Sequence, residues 1–185
     1  MKTICLHSIS SAKNIAFAAL FSALCYIGSI LLTVPLPNGY FNTGDVFVLL
    51  SGWCLGPIYG SFAAAIGSAL ADILSGFTIY APATFVIKGL EAFLAYFVWK
   101  MMKNIFQNEK TDVLARSVAA TLGELFMVLG YFLFECILYG FGGATLSIFG
   151  NALQGACCGV CAIILIGALY PIKAIKVLFP TLKKS

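Results

Sequence analysis

GDVFVLLSGWCLGPIYGSFAAAIGSALADILSGF, residues 44–77, decides how often this chain crosses a membrane. A helix needs roughly 20 apolar residues to span a bilayer, with about 17–25 tolerated. The stretch is too long for one comfortable span and short for two. Gly56-Pro57 sits near its middle. Proline lacks the backbone donor and clashes with the preceding turn, so a helix breaks there.

The rest of the chain settles the count. Four further runs qualify as spans: Asn14–Val34, Pro82–Met102, Val113–Tyr139 and Thr145–Ile172. Lys and Arg favour cytoplasmic loops. They cluster at Lys2 and Lys13, at Lys100, Lys103, Lys110 and Arg116, and at Lys173, Lys176, Lys183 and Lys184. Six spans put all three clusters on one side, whereas five would split them. The 44–77 stretch therefore reads as two short helices, 44–56 and 58–77, joined by a tight turn. The expectation is an all-α membrane protein: a single domain over 1–185, a six-helix bundle with spans near 14–34, 44–56, 58–77, 82–102, 113–139 and 145–172. Both termini are cytoplasmic, and the outward loops carry no Lys or Arg.

Composition agrees. Apolar residues make up 61% of the 185 and charged residues 10%, against about 25% charged in soluble domains. The net charge of +4 lies in short clusters between apolar runs, not on a basic stripe, so nucleic acid is not expected as a partner. The seven cysteines lack the spacing of a secreted disulfide framework. Cys158 and Cys161 form a CxxC, but in apolar surroundings they read as small hydrophobes. Residues 1–13 resemble the start of a signal peptide. The apolar run after them is longer than a signal core and reads as a retained first helix.

Ionisable groups inside a membrane usually mark function. Lys88 is the one basic residue outside those clusters, and it lies within a span. Thr84, Lys88 and Glu91 share a helix face, as do Glu124, Tyr131 and Glu135, and as do Ser147, Asn151, Gln154 and Cys158. Counting about 1.5 Å per residue from the outer ends puts Lys88, Glu135 and Asn151 at one depth. Three consecutive helices thus predict an outward-facing pocket for a small polar molecule. The competing reading is interhelical glue, with Lys88 paired to Glu91 or Glu135. For Glu124, nearer the bilayer middle, pairing and pocket stand level. Tyr40, Phe41, Asn42, Asp45, Phe77 and Tyr80 lie in or beside the outer loops, and Tyr40–Asp45 is expected to fold over the pocket as a lid. Singly, the tyrosines fit an interfacial belt better.

Ala12, Ala16, Ala19 and Ala23 form a small-residue face on the first helix, which lets another helix approach closely. Packing within the bundle and docking of a separate membrane protein both fit it. No P-loop is present. His7, the one histidine, lies outside the spans, so neither a Ser–His pair nor a His-ligated metal is expected. No cofactor and no metal are expected. Asp45 and Asp72 as an intramembrane aspartyl pair rank low, because Asp45 counts as a membrane-edge residue.

Tyr40-Phe-Asn-Thr-Gly-Asp45, Gly56-Pro57, Gly67-Ser-Ala-Leu-Ala-Asp72 and Tyr80-Ala-Pro-Ala-Thr-Phe-Val-Ile-Lys-Gly-Leu-Glu91 together resemble the S component of energy-coupling factor (ECF) transporters. The group linked to hydroxymethylpyrimidine and vitamin B6 is closest, and Asn151-Ala-Leu-Gln154 fits more weakly. The resemblance covers most of the chain. It implies a multi-pass plasma-membrane subunit that binds a vitamin near the outer surface and performs no catalysis itself. It also implies a transmembrane coupling protein and two cytoplasmic ATPases as partners, with Ala16, Ala19 and Ala23 facing the coupling protein. The substrate-binding residues expected are Asn42, Asp45, Tyr80, Thr84, Lys88, Glu91, Tyr131, Glu135, Asn151 and Gln154. Their mixed charge and amides suit a small hydroxylated heterocycle, without excluding riboflavin, thiamine or a nucleobase. The alternatives are a free-standing transporter or channel, which needs a polar inward path, and a ligand-free scaffold.

Overall fold

The computed structural model describes residues 11–36, 38–106 and 110–182. Lys2, Cys5 and His7 of the leading segment, and Lys183 and Lys184 of the trailing cluster, lie outside the described residues. Seven pieces build the bulk of the fold. Helix α1 covers Ser11–Leu31, and a small hairpin follows, β1 Val34–Leu36 with β2 Gly39–Phe41. Its antiparallel register pairs Val34 with Phe41 and Pro35 with Tyr40. Then come α2 Gly44–Leu55, α3 Pro57–Leu74, α4 Ala81–Phe106 and α5 Lys110–Leu169.

Two glycines set the breaks. Gly56 adopts φ 82°, a left-handed conformation that residues with a Cβ rarely adopt, and Pro57 opens α3. Gly140 adopts φ 72° and ψ 171° inside α5. It divides α5 into a first arm, 110–139, and a second, 141–169. The arms run antiparallel and pack closely: Ser147 bonds Glu135, and Gly155 abuts Glu124 while Gly159 abuts Ala120. The break is one residue wide, narrower than the outer loop over 140–144 that the sequence led us to expect.

Among the described residues, four helices are long and apolar enough to cross a membrane: Ala12–Leu31, Pro57–Leu74, Ala81–Ile105 and Thr111–Leu169. Large apolar side chains such as Leu20, Phe62, Phe97, Ile137, Phe149 and Ile164 stay exposed around the bundle. That is an outer surface made for lipid rather than water. The chain is an almost wholly helical membrane protein.

Helix α2 is the exception at the centre. Its 12 residues rise only about 18 Å, against a hydrocarbon core of about 30 Å. It touches α1, α3, α4 and α5, and nearly all of it is buried. Glycines permit this crowding. A Cβ at Gly52 would collide with the Ala92 carbonyl of α4, and one at Gly67 with the Ser22 carbonyl joining α3 to α1.

Below α2, the end of the chain fills the remaining depth. A short α6, Lys173–Leu178, leads to a 3-10 turn at Pro180–Leu182. Phe179 packs its ring 5.0 Å from Phe17 and 5.9 Å from Phe21, and Leu182 is fully buried. Thr181 Oγ1 donates to the Trp53 and Cys54 carbonyls, at 3.0 and 2.6 Å. Those are among the carbonyls that the end of a helix leaves unpaired.

Candidate functional site

The polar residues form two layers in one half of the bundle. The deeper layer begins at Asp45, in the first turn of α2. Sequence counting put this residue at the membrane edge. It is wholly buried, because short α2 starts inside the bundle. Lys88 on α4 bonds Asp45 Oδ1 and reaches Glu91 Oε2 at 3.0 Å. Gln154 Nε2, from the second arm of α5, donates to Asp45 Oδ2 at 2.6 Å. Glu124 of the first arm completes the group. Oxygens of Asp45, Glu91 and Glu124 lie within 4.8 Å of one another.

The outer layer is a small cavity of about 40 Å³. Six expected site residues line it: Asn42, Tyr80, Tyr131, Glu135, Asn151 and Gln154. The other four, Asp45, Thr84, Lys88 and Glu91, stand behind its wall. Gln154 belongs to both layers, since its Oε1 accepts the Asn42 backbone N–H at 2.8 Å.

Asn38, Tyr40, Asp72 and Phe77 also line the cavity. The sequence offered Tyr40 as part of a lid, Phe77 as an outer-loop aromatic, and Asp72 in the Gly67–Asp72 motif and as half of a low-ranked aspartyl pair; none stood among the expected substrate-binding residues. Asp72 is instead an acceptor near the outer end of α3. It takes hydrogen bonds from Tyr40 Oη at 2.8 Å and from Thr84 Oγ1 at 2.5 Å. Asp45 and Asp72 hold different partners in different layers. The depth count applied to the other helices would have found Asp72, which sits two residues from the end of α3.

The same count misplaced Glu135. Thr84 Oγ1 lies 3.0 Å from Tyr131 Oη, and Tyr80 Oη lies 3.3 Å from Glu135 Oε1. Glu135 therefore sits about two turns outward of Lys88, and the two do not meet. Lys88 lies instead 5.5 Å from the centre of the Tyr131 ring. The first arm of α5 ends at Gly140, as expected, but it rises beyond the start of α4, so the two outer ends are not level. Ser147 holds the Glu135 carboxylate from the second arm.

The hairpin closes the top. Asn38 Nδ2 donates to the Gly143 carbonyl at 2.6 Å, while Tyr40 ties β2 to α3. Tyr40 and Phe77 rings pack at 4.9 Å. Burial, then the neighbouring Asp72 carboxylate, push the Tyr40 phenol above its ordinary range, so it acts as a donor. Asn42 Oδ1 accepts the Gly44 N–H at 2.9 Å and turns the chain into α2. The arrangement suits a small molecule rich in hydroxyls or N–H groups, facing the acceptors Asp72 and Glu135 and the rings of Tyr40, Phe77, Tyr80 and Tyr131. Cys158 is buried and Cys161 exposed, both free, so the CxxC forms no pair.

On the opposite flank, Ala16, Ala19 and Ala23 of α1 are exposed. Ala19 and Ala23 border an apolar groove with Phe62, Ala63 and Ile66 of α3.

The family model of the ECF-type riboflavin transporter S component matches residues 9–171. This chain belongs to that family. It is a substrate-binding component for vitamin uptake rather than an enzyme, and S components work with the partners of the ECF module. A protein of Pyrococcus woesei, described as an uncharacterized protein in gap 3'region, is 35% identical over 130 residues. That match spans 69% of this chain and 82% of the relative. The match supports the S-component resemblance read from the sequence, but not its hydroxymethylpyrimidine and vitamin B6 subgroup.

Proposed function

We propose that this S component captures a single-ring hydroxylated heterocycle, of the vitamin B6 or hydroxymethylpyrimidine class, in the cavity beneath the hairpin. The observation that carries this reading is the small cavity that the acceptors Asp72 and Glu135 line together with the Tyr40, Phe77 and Tyr80 rings. Asn42, Tyr131, Asn151 and Gln154 supply further polar contacts; Asp45, Thr84, Lys88 and Glu91 hold the floor. At about 40 Å³ the cavity is far below the roughly 300 Å³ of an open ligand pocket. The hairpin therefore lifts to admit the vitamin, and one ring demands less expansion than three.

In this reading the helical segments make six spans, with both termini cytoplasmic, in the plasma membrane. The arms of α5 count separately, and α2 with the C-terminal turn covers one crossing. A transmembrane coupling protein and two ATPases drive delivery. Exposure of Ala16, Ala19 and Ala23 supports docking of the coupling protein on α1. Ala19→Trp is then expected to leave vitamin affinity unchanged and to block copurification of the module. Normal assembly of that variant removes the docking face.

Riboflavin is the second reading, and the family's description favours it. Thermal stabilisation of the detergent-purified protein, measured against a panel of B vitamins and precursors, separates the two. A ligand at 100 times its dissociation constant adds about 2.7 kcal/mol of stability. A shift with pyridoxine or hydroxymethylpyrimidine alone supports the first reading, and one with riboflavin alone replaces it. Silence across the panel favours the ligand-free scaffold.

A further inference from the structure

The deep layer carries more negative charge than its partners balance. Asp45, Glu91 and Glu124 face a single cation, Lys88, whose ammonium is taken by Asp45 and Glu91. Both oxygens of Glu124 and Oε1 of Glu91 are buried without a hydrogen-bond partner among the described residues. Glu124 is 5% exposed and Glu91 fully buried. An uncompensated buried carboxylate costs several kcal/mol, and the three carboxylates converge on one spot. One oxygen from each of the three lies within 4.8 Å of the others, about twice an oxygen–cation bond.

We propose that Asp45, Glu91 and Glu124 bind one monovalent hard cation of sodium size between α2, α4 and the first arm of α5. The donors would be both Glu124 oxygens, Oε1 of Glu91 and a remaining lone pair of Asp45. Their number decides the class. Calcium takes 6–8 oxygens, and magnesium keeps several waters. This site offers four oxygens from the chain, fewer than calcium takes. Gly155 leaves the room: a Cβ there would lie 2.9 Å from Glu124 Cβ and 3.0 Å from its Oε2. Through Gln154, which bonds Asp45 and lines the cavity, the ion would stand directly beneath the substrate. Neither the family match nor the reading of the cavity assigns it.

The test needs no vitamin, so its outcome is independent of the substrate assignment. The purified protein is melted in sodium, potassium and choline chloride at equal ionic strength. Sodium is expected to raise the midpoint saturably, by roughly 4 °C at ten times its dissociation constant, and choline not at all. Glu124→Gln should abolish that difference and melt higher than the parent chain in choline. Equal midpoints of the parent in all three salts, or a sodium shift surviving in Glu124→Gln, overturn the site. A larger shift from millimolar calcium or magnesium overturns the monovalent assignment. Should Glu124→Gln not purify, equilibrium dialysis of radioactive sodium against the unaltered protein decides: one ion per chain supports the site, and none sinks it.

Discussion

Lys88 and Arg116 are both buried cations, 3% and 2% exposed, and they live in opposite environments. Arg116 lies in the half of the bundle near the C-terminal turn. Its guanidinium sits 4.3 Å from the Trp99 ring centre and 5.2 Å from that of Trp53. Its Nε donates to Asp112 at 2.8 Å, and Asp112 also accepts Trp99 Nε1 at 2.9 Å. One cation meets one partly exposed carboxylate and two indole faces, which suits a weakly hydrated guanidinium. Lys88 instead stands among three carboxylates, under a cavity. Burial of a charge is thus no mark of function by itself. The mark is a local excess of one sign beside space that a ligand can enter.

The largest test of that contrast is Lys88→Met. Removing the one cation leaves three buried carboxylates facing each other, and a loss of roughly 3–5 kcal/mol is expected in chemical denaturation. Adding Glu91→Gln should recover a good part of it, and failure to do so would show that Lys88 matters through packing instead of charge. Next is Arg116→Met, expected to lose about 2 kcal/mol of stability through the missing stack, with vitamin affinity intact. A folded Arg116→Met that no longer binds would break the comparison. Asn151→Ala follows, expected to weaken vitamin binding about tenfold, or about 1.4 kcal/mol, while the melting temperature of the free protein barely moves. Smallest is Thr181→Val, expected to lose about 1 kcal/mol, read by denaturation, without change in affinity.

Much of this was legible in the sequence. The Gly56-Pro57 break follows from the chemistry of two residues, and the membrane class follows from composition. The polar stripes on α4 and α5 follow from helical periodicity alone. What escaped depended on where helices begin relative to one another. Asp45 looked like an edge residue because nothing local says that α2 starts inside the bundle. Glu135 was set level with Lys88 because the helix break was expected over 140–144 with the outer ends aligned, whereas the first arm of α5 overshoots α4. Asp72 was discounted because its partners, Tyr40 and Thr84, come from a loop and a different helix. Glu124 stood undecided between pairing and pocket, and it turned out to have no hydrogen-bond partner among the described residues.

The seal under α2 bears on how the protein is made. Phe179, Thr181 and Leu182 are synthesised after α1 to α5, yet they close against α1 and α2, which are synthesised early. Until those three residues emerge, the Trp53 and Cys54 carbonyls and the Phe17–Phe21 face lack these partners. Insertion of the helices and completion of the core are therefore separate events. A chain stalled late in translation would be fully inserted and still unfinished, a natural substrate for membrane quality control.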